Sequence, residues 1–313
     1  MSNPQKSPPR VAFQGEHGAF SEAAAIELLG DAITTVPRAT FDSAFRAIAE
    51  DAADALLAPV ENSLAGSVVR VYDLLLESNL GIVAETILPI EHHLIGCPGA
   101  TLSGLKSVSS HPMALAQCEK FFLSHPELKR VPAEDTAGSV RDVLASGDLS
   151  SAGIAGRSAA VRYGGVILSE GIQDNAENYT RFVLLIPVPR EESGAAWCST
   201  GSAWSAESDL MTELFVRRCD HPPKHLKMSL ALRLAHKPGA LLAALEPFAR
   251  HGINLLKIES RPIHGSPWEY QFFLDVETDA LAQLEQAVQE LTAATSFLRI
   301  LGAYPPALSE SPV

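Results

Sequence analysis

Short apolar segments alternate with helical stretches from Arg10 to about Pro189, and this alternation constrains the fold more than any other feature. The runs Val11–Phe13 and Ala55–Val60 have the length and composition of buried strands, and Phe20–Leu29 between them has helical spacing. Such alternation favours an α/β fold with largely parallel sheets. Two bouts of it predict two lobes around a cleft, where small ligands bind in such folds. Further strands are predicted near Leu94, Val108, Val131 and Ile154, and further helices over Phe41–Glu50, Val68–Glu77, Met113–Leu123, Ala137–Ala145 and Ser158–Tyr163.

The alternation then stops, and a unit of different pattern begins at Lys227. Serine- and glycine-rich residues from 190 to 226 predict a linker or insertion with a short helix near Asp209–Arg217. The βαββαβ order that follows is that of small ferredoxin-like modules. We therefore predict three parts, which are residues 10–189, 190–226 and 227–304. The elements of the last part are strands over Met228–Leu234, Asn254–Arg261, Trp268–Val276 and Phe297–Ala303, and helices from Pro238 and over Ala280–Thr292.

Charge and hydropathy exclude several classes of protein. The net charge of -13 argues against a protein that coats nucleic acid, because phosphate binding needs clustered lysine and arginine. No apolar run reaches the roughly 18 residues of a membrane span. Residues 1–10 lack the apolar region of a secretory signal. We therefore expect a cytoplasmic protein that binds neither nucleic acid nor a membrane.

Cysteine and histidine spacing predicts no metal site. The four cysteines form no C-x-x-C pair, and none of the ten histidines falls into H-E-x-x-H spacing. The one H-x-x-x-H pair, His221 and His225, encloses Pro222 and Pro223, which break a helix. We interpret Cys97, Cys118, Cys198 and Cys219 as small thiols in a reducing compartment. A full G-x-G-x-x-G is also missing after the first strand, which counts against a dinucleotide cofactor. We expect neither a metal nor a cofactor.

Polar residues gather where predicted strands pass into predicted helices, the usual place of ligand contacts in α/β proteins. A glycine-rich turn there can present backbone N–H groups to an anion. A tight turn or a helix N-cap is the alternative interpretation of each such segment. The segments are Gly15-Glu-His-Gly18, Pro59-Val-Glu-Asn-Ser63, Ser110-His-Pro112 and Asp135-Thr-Ala-Gly-Ser139.

A fifth polar segment, Asn178-Tyr-Thr-Arg-Phe182, precedes the apolar strand Val183–Ile186. Arg181 is its one cation, and a guanidinium can grip a carboxylate with two parallel hydrogen bonds. Thr180 can donate a hydroxyl hydrogen bond. An acidic protein needs such a local positive site to hold a small anion, although a surface arginine before a strand is the alternative interpretation.

Together these segments resemble the prephenate dehydratase family. The triplet Thr180-Arg-Phe182 is similar to the T-R-F signature of that family, and the segments at Gly15, Pro59 and Ser110 follow the family's order. The sequence departs from the family pattern at Met113, where a glutamine is expected.

The last part of the chain resembles the ACT domain of the same family. Glu259-Ser-Arg-Pro262, with Gly239-Ala-Leu241 upstream, is similar to its phenylalanine-binding pair. The resemblance covers about residues 10–190 and 226–304. With nine residues before Arg10, we expect no fused chorismate mutase domain, which some relatives carry.

The resemblance implies a catalytic unit of two α/β lobes resembling periplasmic binding proteins, followed by the ferredoxin-like ACT domain. It implies a lyase of phenylalanine biosynthesis that converts prephenate to phenylpyruvate, with loss of the ring hydroxyl and carbon dioxide. Because aromatisation drives this reaction, no metal or redox cofactor is required.

The resemblance also implies residue roles. Thr180 would donate to the departing hydroxyl, and Arg181 would bind a substrate carboxylate. A threonine hydroxyl is a very weak acid, so Glu61 or His111 is the alternative source of the proton. Further implied substrate ligands are Asn62, Ser63, His111, Thr136 and Phe182.

A second implied site is regulatory. L-Phenylalanine would bind at an interface between ACT domains of a homodimer or homotetramer and favour a less active population, with a coupling of about 1–3 kcal/mol. The implied ligands are Gly239, Ala240, Leu241, Asn254, Glu259 and Ser260.

Three other functions remain open at this stage. An arogenate dehydratase would perform the same elimination on the amino-acid analogue. A non-catalytic amino-acid-binding regulator would use the same lobes without turnover, and the triplet Thr180-Arg-Phe182 weighs against it. A prephenate dehydrogenase is disfavoured, because no dinucleotide fingerprint follows the first strand.

Overall fold

The structure of the chain is a computed structural model that describes residues 7–188, 225–263 and 269–307. The predicted helix near Asp209–Arg217 lies outside the described residues, as does the start of the predicted strand Trp268–Val276. Within the described ranges, no helix combines the length and the apolar character needed to cross a membrane.

The chain divides into two compact units. The first comprises the chain up to Leu74 together with Thr86–Val183, and the second comprises Leu75–Glu85 and the chain from Leu184 onwards. Leu75–Glu85, which falls inside the predicted first part, thus groups with the second unit, and the boundaries of the three parts stay predictions.

The first lobe of the first unit is built on a mainly parallel sheet. Its strands are β1 (Arg10–Gln14), β2 (Thr34–Arg38), β3 (Ala55–Asn62), β4 (Gly66–Ser67), β5 (Leu80–Pro89) and β11 (Tyr179–Pro187), and its helices are α1 (Phe20–Leu29), α2 (Phe41–Ala49) and α3 (Val69–Glu77). The order is β11-β3-β1-β2, with β1 parallel to both neighbours and β4 antiparallel to β3. Strands β5 and β11 and helix α3 continue into the second unit.

Burial explains which strands of this lobe are visible in the sequence. Val11, Ala12 and Phe13 are all fully buried, and a strand covered on both faces gives a continuous apolar run. Strand β2 is absent from the prediction because it lies at the sheet edge, is partly exposed and contains Pro37.

The second lobe has its own five-stranded sheet. Its strands are β6 (His93–Gly96), β7 (Ser107–Ser110), β8 (Lys129–Pro132), β9 (Ser151–Ala155) and β10 (Val166–Ser169), and its helices are α4 (Pro112–Ala116), α5 (Glu119–Ser124), α6 (Thr136–Ser146) and α7 (Arg157–Tyr163). The order is β10-β6-β9-β7-β8, with β7 parallel to β8 and β9. The chain passes between the lobes twice, after β5 and before β11, so the prediction of two α/β lobes is confirmed.

The prediction of one helix over Met113–Leu123 is wrong. The chain leaves helical geometry at Cys118, whose φ and ψ are -117° and 32°. The Asp174 carboxylate accepts hydrogen bonds from the backbone N–H groups of Glu119 and Lys120, each at 2.9 Å. Because this carboxylate satisfies the first free N–H groups, a second helix begins there.

The second unit contains the predicted βαββαβ module. Its elements are β12 (Leu226–Arg233), α8 (Ala240–Arg250), β13 (Asn254–Pro262), β14 (Tyr270–Thr278), α9 (Leu281–Ala294) and β15 (Phe297–Tyr304). The order β13-β14-β12-β15 with antiparallel neighbours confirms the ferredoxin-like prediction. The helix start predicted at Pro238 is wrong, because Gly239 has a φ of 80°, a left-handed value that an α-helix does not include.

Strand β12 is buried on both faces, although its sequence predicts one apolar face. Leu230 and Leu232 lie in the core of the module. On the other face, the Lys227 ammonium lies 2.9 and 3.1 Å from the two carboxylate oxygens of Glu85. Both side chains are at least nine-tenths buried. A buried pair of this kind depends on both partners being present.

We expect Lys227→Met to lower the free energy of unfolding by about 3–5 kcal/mol, because it leaves the Glu85 carboxylate buried without its counter-charge. Urea denaturation measures this change. The matched control is Lys237→Met at an exposed position, which should change stability by less than about 0.5 kcal/mol. Equal losses in the two variants would contradict a stabilising role for the buried pair.

Candidate active site

The turn Gly15–Gly18 after β1 is closed by an internal carboxylate. The Gly18 N–H and the Thr35 hydroxyl donate to Glu22, each at 2.6 Å, and His17 Nδ1 lies 2.7 Å from it. Burial by itself raises the pKa of Glu22, but these hydrogen bonds outweigh burial and hold the pKa below its ordinary value. The Gly18 N–H thus serves a carboxylate of the protein itself, and the binding of a ligand anion at this turn stays a prediction.

The same turn contacts the second lobe. The Tyr163 hydroxyl donates to the His17 carbonyl at 2.8 Å, and the Ser158 hydroxyl donates to the Gly18 carbonyl at 3.1 Å. Gly18 has a φ of 87°, and a Cβ added there would lie 2.8 Å from Ala159 Cα. Only glycine permits this approach of α7, so the turn fixes the spacing of the two lobes here.

Side chains at the adjoining ends of β3 and β11 divide between two faces, because successive residues of a strand point to opposite sides. On one face, the Arg181 guanidinium lies 3.4 Å from the Glu61 carboxylate and 3.5 Å from the Tyr72 hydroxyl. Arg181 is 8% exposed, so Glu61 supplies the counter-charge of a buried cation. Thr180 and Asn62 lie on the other face. The Thr180 hydroxyl and the Arg181 guanidinium therefore lie on opposite faces of β11, although the sequence predicts that both contact one substrate.

The Asn62 carboxamide organises this second face. Its Oδ1 accepts hydrogen bonds from the backbone N–H groups of Leu64 and Ala65, at 3.0 and 2.8 Å. Backbone N–H groups can only donate, so they fix the orientation of the carboxamide. Its Nδ2 therefore donates to Thr180 Oγ1 at 2.9 Å and to Asn178 Oδ1 at 2.7 Å.

Asn178 transmits this orientation to the second lobe. Since its Oδ1 accepts from Asn62, its Nδ2 is the donor to Gln117 Oε1 at 3.3 Å. His92 Nε2 lies 2.9 Å from the same Oε1 and must carry the hydrogen of that bond. Both bonds use the Gln117 oxygen, and its amino group points elsewhere.

Two hydrogen-bond donors remain for a ligand. Thr180 Oγ1 already accepts from Asn62, so its O–H hydrogen is available, and the Gln117 amino group is available in the same way. In the part of the chain that the structure describes, neither donates to a protein atom. Thr180 belongs to the first lobe and Gln117 follows α4 of the second, so the network spans the two lobes. Neutral donors held in place suit a ligand atom that gains negative charge.

Two of the predicted ligands have structural partners. The Ser63 hydroxyl donates to the Glu177 carbonyl at 3.1 Å and accepts from the Tyr179 N–H at 2.9 Å. The His111 ring caps α4, because its Nδ1 accepts from the Met113 N–H at 3.2 Å. The N-cap interpretation therefore describes His111, and its contact with a substrate stays a prediction.

Two further predicted ligands stand apart from the network. Phe182 is 2% exposed and belongs to the core, so its ring positions β11. Thr136 is the first residue of α6 and is partly buried, and its hydroxyl has no hydrogen-bond partner among the described side chains. Substrate contacts of both residues stay predictions.

The network includes two residues that the sequence did not indicate. Gln117 lies four residues after Met113, one helical turn further on, and that spacing was the available signal. His92 follows the strand β5, between Glu91 and His93, and nothing in the sequence distinguishes it from a core histidine. Asn178 lies in the polar segment Asn178–Phe182, but its hydrogen bonds to Asn62 and Gln117 are visible only in the structure.

The described cysteines are buried and free. Cys97 and Cys118 form no disulfide, and burial raises the pKa of the Cys118 thiol to about 12. Within the described ranges, no group of three or more histidine, cysteine, aspartate or glutamate side chains is arranged to hold a metal ion.

In the second unit, the predicted regulatory residues lie at two ends of the sheet. Strand pairing places Ser260 near the end of β12 from which the chain runs to Gly239. Asn254 lies at the other end of β13, where its amide donates to the Glu277 carboxylate at 2.8 Å. Asn254 can therefore join a site at Gly239 only from a second copy of the chain.

The two faces of β13 also differ. Ser260 shares an exposed face with Leu256 and Ile258, whereas Glu259 lies on the other face, 3.3 Å from the Lys257 ammonium. Near the start of α8, Ala240 is buried and Leu241 is at the surface. The six predicted ligands are thus not assembled within one chain.

Family models match both of the main parts of the chain. The model of the prephenate dehydratase family matches residues 11–189, and that of the ACT domain matches residues 228–293. An Arabidopsis thaliana protein named arogenate dehydratase/prephenate dehydratase 1, chloroplastic, is 37% identical over 95% of this chain and 72% of its own. The structure of an Arthrobacter aurescens prephenate dehydratase in complex with L-Phe has a TM-score of 0.77 and 29% identity, covering 94% of this chain and 89% of its own. The quorum-quenching acylase GqqA has a TM-score of 0.78 and 31% identity, covering 96% and 98%.

We expect Glu22→Gln to lower the free energy of unfolding at neutral pH by about 1–3 kcal/mol, because the neutral amide weakens three hydrogen bonds. The folded-state pKa of Glu22 lies below its ordinary 4.5, so its stabilisation is complete above pH 4.5 and is lost as the pH falls through the folded value. The difference from wild type should therefore shrink in acid, as urea unfolding at several pH values would show. Glu127→Gln, at an exposed position, is the control. A difference that does not change with pH would contradict the assignment.

Proposed function

The chain belongs to the prephenate dehydratase family, and we propose that it removes the ring hydroxyl and one carboxyl group of prephenate to form phenylpyruvate. The observation that carries this proposal is the Asn62 hydrogen bond to Thr180 Oγ1, which leaves the threonine hydrogen available for a substrate. A donor held in this way matches the main chemical difficulty of the reaction, which is the departure of hydroxide.

The reaction breaks two bonds of the substrate ring. The bond from the ring to a carboxylate carbon breaks, carbon dioxide leaves, and the electron pair completes the aromatic ring. The bond from the ring to the hydroxyl oxygen also breaks, and that oxygen takes a proton to leave as water. Negative charge develops on the leaving oxygen, where the Thr180 O–H donates. One such positioned donor contributes about 10²–10³-fold to the rate.

Gln117 acts as a second donor from the other lobe. Its amino group points away from Asn178 and His92, which hold its oxygen. A substrate oxygen bound by both Thr180 and Gln117 would join the two lobes. Such a contact explains why a two-lobed protein suits this reaction, since binding can both orient the substrate and exclude water.

Arg181 is the proposed carboxylate ligand, and its position sets a condition on that role. The guanidinium lies 3.4 Å from Glu61, on the face of β11 away from Thr180. A substrate carboxylate must therefore replace or extend the Glu61 contact. His111 and Glu61 stay the proposed sources of the proton. Glu61 lies with Arg181 on the face away from Thr180, so it must leave that ion pair to reach the leaving oxygen.

Arogenate is the second candidate substrate, because the Arabidopsis relative carries both names. It differs from prephenate only by an amine in place of the side-chain carbonyl. The elimination takes place at the ring, so Thr180 and Gln117 would serve both substrates. The discrimination between them depends on groups that contact the side chain.

We expect purified protein to form phenylpyruvate from prephenate, and Thr180→Val to reduce kcat about 10²–10³-fold, because valine keeps the shape and removes the donor. Thr180→Ser keeps the hydroxyl and should retain most of the activity. Mass-resolved product analysis with a no-enzyme control measures turnover of prephenate and arogenate separately.

Thr180→Val with a kcat within about threefold of wild type would remove the threonine from the mechanism. Turnover of arogenate alone would transfer the proposal to that substrate. Binding of either compound without turnover would favour the amino-acid-binding regulator. Hydrolysis of an acylated amine would instead support the activity named for GqqA.

The proposal includes feedback by L-phenylalanine at the ACT domain. The match to the ACT model and the L-Phe complex of the Arthrobacter relative support it. Asn254 lies at the far end of β13 from Gly239, so a site with both requires two chains. We therefore propose a homodimer or homotetramer. The buried thiols of Cys97 and Cys118 support a reducing compartment such as the cytoplasm.

Millimolar L-phenylalanine should raise the melting temperature, because a ligand that binds only the folded state stabilises it. Gly239→Val should abolish this shift, since a side chain would fill the place where the backbone meets the ligand. Gly147→Val is the matched control, because Gly147 also has a left-handed φ, of 68° against 80° for Gly239, and lies at the end of α6. Thermal denaturation with and without L-phenylalanine provides the measurement. A shift that survives in Gly239→Val and is lost in Gly147→Val would contradict this site.

A further inference from the structure

His92 is a buried polar group that the mechanism above does not use. Its side chain is 2% exposed, and its Nδ1 has no hydrogen-bond partner in the described part of the chain. Its other ring nitrogen, Nε2, lies 2.9 Å from Gln117 Oε1. Burying Nδ1 without a hydrogen-bond partner destabilises the folded protein. We therefore expect the hydrogen bond of Nε2 to have a function that offsets this cost.

We propose that His92 is a positioning residue for the reaction, and that its Nε2–H holds the Gln117 carboxamide so that the amino group faces the substrate. This inference rests on the proposed function and adds a residue to it. His92 itself touches no reacting atom and acts through Gln117.

The direction of the hydrogen bond between His92 and Gln117 follows from two backbone N–H groups at the far end of the network. The N–H groups of Leu64 and Ala65 fix Asn62 Oδ1, and each carboxamide in turn fixes the next. At the end of this series, Gln117 must present its oxygen to His92 and Asn178. His92 must then carry its hydrogen on Nε2 and leave Nδ1 bare.

The loss of His92 would leave Gln117 weakly held. Among the residues that the structure describes, the only other donor to its oxygen is Asn178 Nδ2, at 3.3 Å. A rotation of the carboxamide by half a turn would place the oxygen where the amino group was. An acceptor would then face the leaving oxygen, where the reaction develops negative charge.

The surroundings keep the imidazole neutral and in one tautomer. Burial lowers the pKa of His92 and outweighs the hydrogen bond to Gln117, which raises it, while the neighbouring His93 lowers it further. The Phe20 ring meets the imidazole edge to face, with the centroids 5.8 Å apart. A second proton on Nδ1 would have no acceptor there, so Nε2 keeps the hydrogen. The backbone is also held, since the His92 N–H donates to Gln173 Oε1 at 2.9 Å.

The first experiment is ¹⁵N NMR of the imidazole at neutral pH in protein labelled at histidine, with the His92 signals assigned by their absence from His92→Gln. We expect a neutral ring with the hydrogen on Nε2. A hydrogen on Nδ1, or a charged ring, overturns the proposal whether or not the protein is active.

The second experiment is a double-mutant cycle in kcat. We expect His92→Leu to lower kcat about 10–100-fold, because one donor loses its orientation without being removed. Glutamine places an amide N–H near the position of Nε2, so His92→Gln should stay within about threefold of wild type. In a Gln117→Ala background, His92→Leu should cause less than about threefold further loss, because the residue acts through Gln117.

If the kcat losses of His92→Leu and Gln117→Ala multiply in the double variant, the proposal is overturned. That result means that His92 acts by supporting the fold and not by positioning Gln117. His93→Leu and His93→Gln are the matched controls, because His93 is equally buried at 2% and has no bond to the network. A kcat loss in His93→Leu as large as that in His92→Leu also overturns it. Absence of wild-type turnover on both substrates would instead overturn the proposed function, and the NMR result would then decide the geometry separately.

Discussion

The candidate site depends on two backbone N–H groups. Leu64 and Ala65 donate to Asn62 Oδ1 immediately after β3 ends, and they leave the carboxamide only one orientation. From this constraint follow the hydrogen bond to Thr180, the orientation of Asn178 and the contact between Gln117 and His92. The chemistry of the site is therefore fixed by where a strand stops, which is why loops at strand ends carry function in α/β proteins.

The Arg181–Glu61 ion pair and the hydrogen-bond network of Asn62 and Thr180 lie on opposite faces of β3 and β11. Arg181 is neutralised by Glu61, and the Gly15–Gly18 turn is neutralised internally by Glu22. The side chains of the network on the other face, Asn62, Asn178, Thr180 and Gln117, are uncharged. A dianionic substrate would therefore meet neutral donors at its hydroxyl, whereas the Arg181 cation lies on the opposite face of the strand.

The sequence predicted the fold better than it predicted the site. Alternation and apolar runs indicated the two lobes and the βαββαβ module, because buried strands such as Val11–Phe13 leave a strong pattern. Edge strand β2 leaves none, and the break at Cys118 depends on the distant Asp174. Within the site, the T-R-F triplet located β11 correctly. It did not show that Thr180 and Arg181 face opposite sides, nor that His92 and Gln117 join Thr180, because these contacts bring together residues far apart in the chain.

The network of carboxamides has a consequence for proton movement. Asparagine and glutamine amides neither release nor accept protons near neutral pH, so they transmit direction without conducting charge. Asn62 and Asn178 therefore insulate Thr180 from the imidazole of His92, although hydrogen bonds connect them without a gap. A proton that ends in the departing water must enter from the ligand side of Thr180. His92 can therefore affect the orientation of the carboxamides near Thr180, but the network carries no proton between the His92 imidazole and the Thr180 hydroxyl.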